Sequence, residues 1–161
     1  MKLSHVDEHG KARMVDISQK DISERVAIAS GKVFMNSNTM ELIHKNSVAK
    51  GDVLAVSRVA GIMAAKRCPD LVPLCHPIPI SSVKVDFETE NETTLVITAE
   101  VKTNHNTGVE MEALTAVSVA ALTIYDMVKA VDREIVIGEI KLNYKSGGRS
   151  GVFDRDRKLA A

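Results

Sequence analysis

Hydrophobic and polar residues alternate with a period of two in four segments of the chain, which is the pattern of half-buried strands. These segments are residues 23–35, 83–88, 94–102 and 135–144. Gly31 interrupts the first and indicates a bulge or turn. Asn91 and Glu92 stand between the second and third, so these two segments are predicted to form a β-hairpin.

Three other segments carry their apolar residues at helical spacing. Residues 37–45 begin with cap-type side chains and predict a short helix. Residues 53–67 predict a longer helix, with Asp52 as its N-cap and Pro69 as the residue that stops it. Residues 109–131 give the clearest helical pattern, since the next breaker is Gly138.

The elements therefore follow the order strand, helices, strand, strand, helix, strand. This order predicts an α+β fold of the ferredoxin-like kind, with a four-stranded antiparallel sheet and helices packed on one face. We expect one domain over residues 1–161. Residues 1–20 are predicted to be a loose N-terminal arm, and residues 145–161 a glycine-rich C-terminal tail.

Composition narrows the class of protein. Lys and Arg together number 21, as do Asp and Glu, so the net charge is zero and a general nucleic-acid or anionic-membrane surface is not expected. The polar start lacks a signal core, no apolar run approaches the roughly 20 residues of a membrane span, and two cysteines suit a reducing cytoplasm. With 3% aromatic residues and no Trp, the core buries little area per side chain, so we expect oligomerisation.

A proline-rich segment, residues 73–79, holds His76 between Pro73 and Pro77. Proline fixes φ, so the imidazole is presented at a fixed angle and can act as an acid or base near neutral pH. From this segment alone, a rigid connection with a hydrogen-bonded His is the simpler interpretation. A zinc site of Cys68, Cys75 and His76 is weaker still, because adjacent residues face one ion poorly and a second ligand pair is missing.

The segment 107–114 contains two glutamates with different expected roles. Thr107 and Glu110 are spaced as a capping box, so Glu110 has a structural explanation. Glu112 lies among apolar residues of a helix that is apolar on nearly every face, so a carboxylate there needs a partner. An edge with N–H donors, such as that of guanine, is one candidate.

Asp126 and Lys129 lie three residues apart on one face of the same predicted helix. They form either a surface ion pair of small energetic value or, because the helix is so apolar, a buried acid–base couple. Burial is the prediction here. Asp126 follows Glu112 by 14 residues, or about 21 Å along a helix. If both serve one small substrate, the site lies between subunits.

Glycines surround two cations in the segment 145–151, which follows the last predicted strand. Lys145 and Arg149 supply positive charge, and glycines let backbone N–H groups approach an anion. The order of a P-loop is absent, and a flexible tail is the simpler interpretation. Lys50, before a predicted helix, is alone an ordinary surface lysine.

Taken together, these segments resemble the cyclic pyranopterin monophosphate synthase family, also called molybdenum cofactor biosynthesis protein C. The matching residues are 14–18, 50–67, 71–80, 107–131 and 145–151. The resemblance implies a lyase that converts 3′,8-cyclo-7,8-dihydro-GTP, made by a radical enzyme of the same pathway, into cyclic pyranopterin monophosphate and pyrophosphate. It also implies a ferredoxin-like subunit and a hexamer, a trimer of dimers with sites at dimer interfaces.

The resemblance also implies roles for individual residues. The catalytic positions are Asp126, Lys129, His76 and Lys50, and the substrate-binding positions are Leu74, Cys75, His76, Met111, Glu112 and Lys145. No metal site or resident cofactor is expected, although Mg²⁺ on the substrate phosphates is compatible with it. The chain departs from the family at His105-Asn106, where Gly-Lys is common, and at Arg149, where lysine is common. The alternative is a non-catalytic nucleotide-binding regulatory or assembly protein on the same scaffold.

Overall fold

The computed structural model describes residues 6–159. Its strands are β1 Ser23–Phe34, β2 Ser82–Asn91, β3 Thr94–His105, β4 Val136–Ser146 and β5 Phe153–Asp154. Its helices are α1 Ser37–His44, α2 Val53–Lys66, α3 Cys68–Leu71, α4 Glu110–Val128 and α5 Arg155–Leu159. The predicted order of elements is confirmed, whereas α3, β5 and α5 were not predicted.

All strands belong to one antiparallel sheet with the order β2-β3-β1-β4-β5. The predicted count of four strands was wrong, because β5 pairs with the end of β4 through Tyr144 opposite Asp154 and Lys145 opposite Phe153. A two-residue strand is too short to show a period-two pattern. The register of β1 against β4 shifts between Ser30 and Lys32, so the bulge predicted at Gly31 is confirmed.

Helix α4 packs against β1, β3 and β4, and α2 lies beside it against β2. Small residues on β1 permit the close approach of α4. A Cβ at Gly31 would lie 2.7 Å from a methyl carbon of Val117, and one at Gly61 of α2 would lie 2.9 Å from the carbonyl oxygen of Ala116. These contacts fix the position of α4, whose two ends carry the side chains discussed below.

By length and composition alone, α4 is apolar enough to cross a membrane, which the sequence interpretation did not foresee. Its apolar residues instead pack in the hydrophobic core of the protein. Ala113, Ala116, Val117, Ala120 and Ile124 are fully buried in the core. This is the behaviour of a core helix, so its hydropathy carries no indication of a membrane span.

Helix α2 begins as predicted, since the Asp52 carboxylate accepts a hydrogen bond from the Ala55 N–H at 2.9 Å. The capping box predicted at α4 was wrong: Val109 occupies the N-cap position and no side chain caps the helix. The described part of the predicted arm, residues 6–20, contains only a Val6–Ala12 bridge and turns. The described part of the predicted tail holds the end of β4, β5 and α5.

Asp132 ties the end of α4 to the start of α1. Its buried carboxylate accepts hydrogen bonds from the Asn36 N–H at 2.9 Å, the Thr39 hydroxyl at 3.1 Å and the Glu134 N–H at 3.1 Å. We expect Asp132→Ala to lower the free energy of unfolding by about 2–3 kcal/mol, because buried donors lose a charged acceptor. Denaturant titration measures this. The exposed Asp86→Ala is the matched control, and an equal effect of both changes would contradict the assignment.

Candidate active site

A cavity of about 440 Å³ opens at the N-terminal end of α4, between that helix and the segment that follows α3. We call it the Glu112 cavity. Five of the residues predicted to bind substrate line it: Leu74, Cys75, His76, Met111 and Glu112. The structure therefore brings together side chains of the segments 72–78 and 107–112, which the resemblance to the family implied.

The Glu112 side chain is the least exposed polar group of this cavity, with the residue only 2% exposed. Burial raises the pKa of its carboxyl from 4.5 to about 7, opposed by a hydrogen bond with its own backbone N–H and assisted by the nearby Glu110. The predicted burial of Glu112 is confirmed. At neutral pH this group exchanges a proton readily, and N–H donors from a ligand would favour its ionised form.

The raised pKa of Glu112 predicts a pH dependence of stability. Between pH 4.5 and 7 the folded state binds a proton that the unfolded state has lost, so stability falls as pH rises through this window. Glu112→Gln removes the dependence, and the difference from the parent chain accumulates to an order of 3 kcal/mol by pH 8. Urea titrations from pH 5 to 8 measure it. Equal slopes for Glu112→Gln and the exposed Glu88→Gln control would sink the assignment.

A second cavity of about 660 Å³ lies beside the first, and its lining has a net positive charge because its four Lys and Arg residues outnumber Asp21 and Glu110. We call it the basic cavity. It contains the predicted residue Lys145 together with Lys20, Arg25 and Arg149. Arg25 is only 8% exposed, and within residues 6–159 it has no ion pair; its Nε donates to the His105 carbonyl at 3.2 Å. A buried guanidinium without an acidic partner favours an anionic ligand.

The glycines of the segment 145–151 shape the basic cavity by packing against Arg25. A Cβ at Gly148 would overlap the Arg25 guanidinium, and one at Gly147 would overlap the Glu24 carbonyl oxygen. Both glycines also have positive φ, +93° at Gly147 and +75° at Gly148, where other residues are strained. Their role is thus close packing over the cation. Lys145 donates a hydrogen bond to the Ser150 hydroxyl, which closes the loop.

The two cavities adjoin, because Thr107, Gly108 and Glu110 line both, and we call the pair the depression. One end presents cations, and the other presents a buried carboxyl with an imidazole and apolar side chains. A ligand that fits both has an anionic group at one end and a planar group with N–H donors at the other.

The cysteines lie beside the Glu112 cavity and contact each other. Burial raises the pKa of Cys68 to about 12 and also raises the pKa of Cys75, so both thiols are protonated at neutral pH. Among residues 6–159, no three His, Cys, Asp or Glu side chains are grouped to hold a metal ion.

The other predicted catalytic residues meet at the opposite end of α4, in what we call the lysine–aspartate cluster. Lys129 Nζ lies 2.7 Å from Asp126 Oδ1, and Lys50 Nζ lies 3.0 Å from Asp126 Oδ2 and 2.7 Å from its backbone carbonyl oxygen. The hydrogen bond from Lys129, and next that from Lys50, lowers the pKa of Asp126. The same hydrogen bond to Asp126 raises the pKa of Lys129, so its side chain stays protonated and positively charged at neutral pH.

The predicted burial of Asp126 and Lys129 was wrong for the single chain, since their side chains are 58% and 51% exposed. The physical reason is the direction of the helix face. Asp126 lies two residues beyond Ile124, or about 200° around the helix, so it points away from the core that Ile124 fills. The segment 47–50 reaches this end of α4 and lines a cavity with Met127 and Val128, but it leaves Asp126 more than half exposed, whereas the segment after α3 covers Glu112.

The predicted site residues therefore form two separate groups in one chain. Glu112 and Asp126 share α4 and are about 21 Å apart along its axis. Sequence reasoning missed Lys20 and Arg25. In the sequence, Val26 and Ile28 are the apolar residues of this part of β1, so the opposite face was expected to be the polar one. The structure instead places Arg25 on the same face as the fully buried Ala27 and Ala29, and residues 147–148 pack against its side chain.

Comparisons with known proteins show the family to which the chain belongs. The family model described as the MoaC family matches residues 14–148. A cyclic pyranopterin monophosphate synthase of Magnetococcus marinus is 58% identical over 155 residues, 96% of this chain and 95% of that protein. Proteins of the same name from Thermomicrobium roseum and Brevibacillus brevis are 57% and 53% identical, covering 96% and 98% of this chain and 94% and 98% of their own lengths. The chain belongs to the MoaC family.

Proposed function

We propose that this chain is a lyase of molybdenum-cofactor biosynthesis that converts 3′,8-cyclo-7,8-dihydro-GTP into cyclic pyranopterin monophosphate and pyrophosphate. The name of its relatives supports the reaction. The observation that carries the proposal is the depression, in which the basic cavity and the Glu112 cavity adjoin. Its two ends match the triphosphate and the guanine-derived base of one nucleotide.

The basic cavity would bind the triphosphate. Lys145 and Arg149 lie on the loop after β4, and Lys20 and the buried Arg25 complete the set of cations. Charge-assisted hydrogen bonds to phosphate are about twice as strong as neutral ones, and the same cations would stabilise the negative charge that develops on pyrophosphate as its bond breaks. The Glu112 carboxylate would accept N–H groups of the base, with Leu74 and Met111 against its faces.

The lysine–aspartate cluster would supply the proton transfers at the ring carbon and nitrogen centres. Lys129 enters as a protonated donor that Asp126 holds in place, and Lys50 neutralises phosphate oxygens. His76 would act as a second acid or base from the Glu112 cavity. The reaction rebuilds rings and closes a cyclic phosphate without net oxidation, so these groups suffice for its proton and charge changes.

The same proposal requires a homo-oligomer, because the cluster and the depression occupy opposite ends of α4. A second copy would place its cluster over the depression, which also buries Asp126 and Lys129 as the apolar helix suggested. A hexamer built as a trimer of dimers fits the family, and the ferredoxin-like description fits the order β2-β3-β1-β4. A monomer in sedimentation at micromolar concentration would remove this part of the proposal.

We further propose that catalysis uses no resident cofactor, with Mg²⁺ restricted to the substrate phosphates, and that the substrate is received from the pathway's radical enzyme in the cytoplasm. The two free cysteines, Cys68 and Cys75, support a cytoplasmic place. The first part is tested by measuring activity after exhaustive chelation. Any activity that is lost should be restored by Mg²⁺ alone.

The alternative is a nucleotide-binding regulatory or assembly protein without turnover. One assay separates the two: the purified protein is incubated with the cyclised dihydro-GTP intermediate, and pyrophosphate and a pyranopterin are measured. We expect both products in equal amounts from the parent chain and neither from Asp126→Ala. Tight binding of the intermediate without products would favour the alternative.

A further inference from the structure

The segment 15–19, which we call the strap, contacts side chains of both cavities through its backbone. Its alternate carbonyl oxygens each accept a hydrogen bond from a site side chain. The contacts are His76 Nε2 to the Val15 carbonyl at 2.7 Å, Asn106 Nδ2 to the Ile17 carbonyl at 2.9 Å, and Arg149 Nη2 to the Gln19 carbonyl at 3.4 Å. His76 lines the Glu112 cavity, and Asn106 and Arg149 line the basic cavity.

The contact with Val15 determines the tautomer of His76. A backbone carbonyl has no proton to donate, so Nε2 must carry the hydrogen in the neutral imidazole. Nδ1 is then the nitrogen that takes up a proton, and within residues 6–159 no hydrogen bond to Nδ1 competes for it. The strap thereby decides which nitrogen of His76 is the base.

The strap is weakly attached to the rest of the fold. It belongs to no strand or helix; Asp16 and Ser18 are exposed, while Val15 and Ile17 are half-buried. A turn from Lys20 N–H to the Ile17 carbonyl, at 3.1 Å, and the bond from Ser18 N–H to the Asp16 carboxylate, at 2.9 Å, hold its shape. Segments with few buried apolar contacts open at low free energy.

We propose that the strap is a positioning device, in which the Val15 carbonyl fixes His76 with its proton on Nε2. The hydrogen bond from Arg149 to the Gln19 carbonyl is the contact that a ligand can replace. A phosphate oxygen offers Arg149 a stronger, charge-assisted acceptor than the Gln19 carbonyl, so an anionic ligand releases that end of the strap without breaking the contact at His76. The catalytic consequence rests on the proposed function, but the state of the imidazole does not.

The test is nitrogen–proton NMR of the imidazoles in the full-length protein without ligand, with the His76 signals assigned by His76→Gln. We expect an Nε2-bound proton on His76 that exchanges slowly with water. Ile17→Gly, which loosens the strap, and Asn106→Asp, which sets a carboxylate against the Ile17 carbonyl, should both make that proton exchange too fast to detect. Ile17→Val and the exposed Asn104→Asp should retain it.

The kinetic arm uses Ile17→Gly, since Ile17 touches no expected substrate group. We expect kcat to fall on the order of ten-fold to a hundred-fold with KM little changed, and Ile17→Val to restore it. A His76 proton on Nδ1, or fast exchange in the parent chain, overturns the proposal. So does a loss of kcat in Ile17→Gly that leaves the imidazole proton intact. Failure of the parent chain to form any product would instead count against the proposed function.

Discussion

Replacing Lys129 by alanine is expected to lower kcat for pyrophosphate release by roughly a thousand-fold or more, because a positioned proton donor contributes roughly 10²–10⁴ in rate. Folding should be unaffected, since the ammonium is about half exposed and pairs only across the surface of α4. Single-turnover assays with saturating substrate measure the chemical step, and thermal melting of the same preparation checks the fold.

A matched control lies elsewhere on the surface. Lys45 pairs with Glu41 at 2.8 Å on α1, so Lys45→Ala removes a similar exposed lysine from a similar ion pair and should leave kcat unchanged. Lys129→Arg separates two roles, because arginine keeps the charge but does not give up a proton at these pH values. Recovery of turnover with arginine would mean that Lys129 only neutralises charge, and normal turnover in Lys129→Ala would remove it from catalysis.

The secondary structure was predictable because its signals are local. Strand alternation, the Asp52 cap and the apolar pattern of α4 all sit within a few residues of the element that they predict. β5 and α5 lie beyond this kind of reasoning: two residues show no period, and Phe153 joins the sheet only because β4 offers it a free edge.

The site was predictable in its membership more than in its geometry. Glu112 and Asp126 fall on roughly one side of α4, yet one is buried and the other is exposed. The difference comes from the segment 72–78, which folds over the first turn of the helix but does not reach the last. A helical pattern cannot report what a distant segment covers, and the packing of residues 147–148 against Arg25 is a second such contact that escaped prediction.

The second large effect concerns the sharing of a site between copies of the chain. His76→Ala disables the depression, and Lys129→Ala disables the cluster, so each variant alone should be inactive. A twofold dimer containing one copy of each has one site with both lesions and one site with neither. Random pairing in a 1:1 mixture should therefore restore about a quarter of the parent activity per chain.

The matched control is a mixture of Asp126→Ala with Lys129→Ala, whose lesions lie in the same cluster 2.7 Å apart. Every site in that mixture has a damaged cluster, so no activity should return. Differently tagged chains, coexpressed and purified through both tags, ensure that mixed oligomers are measured, and native mass spectrometry verifies their composition.

This mixing experiment tests most directly whether the two ends of α4 serve one site across an interface. The account predicts that doubly tagged oligomers of His76→Ala and Lys129→Ala release pyrophosphate, whereas the control oligomers of Asp126→Ala and Lys129→Ala release none. If both mixtures are equally inactive although mixed oligomers have formed, the depression and the cluster do not meet between subunits, and the shared site is contradicted.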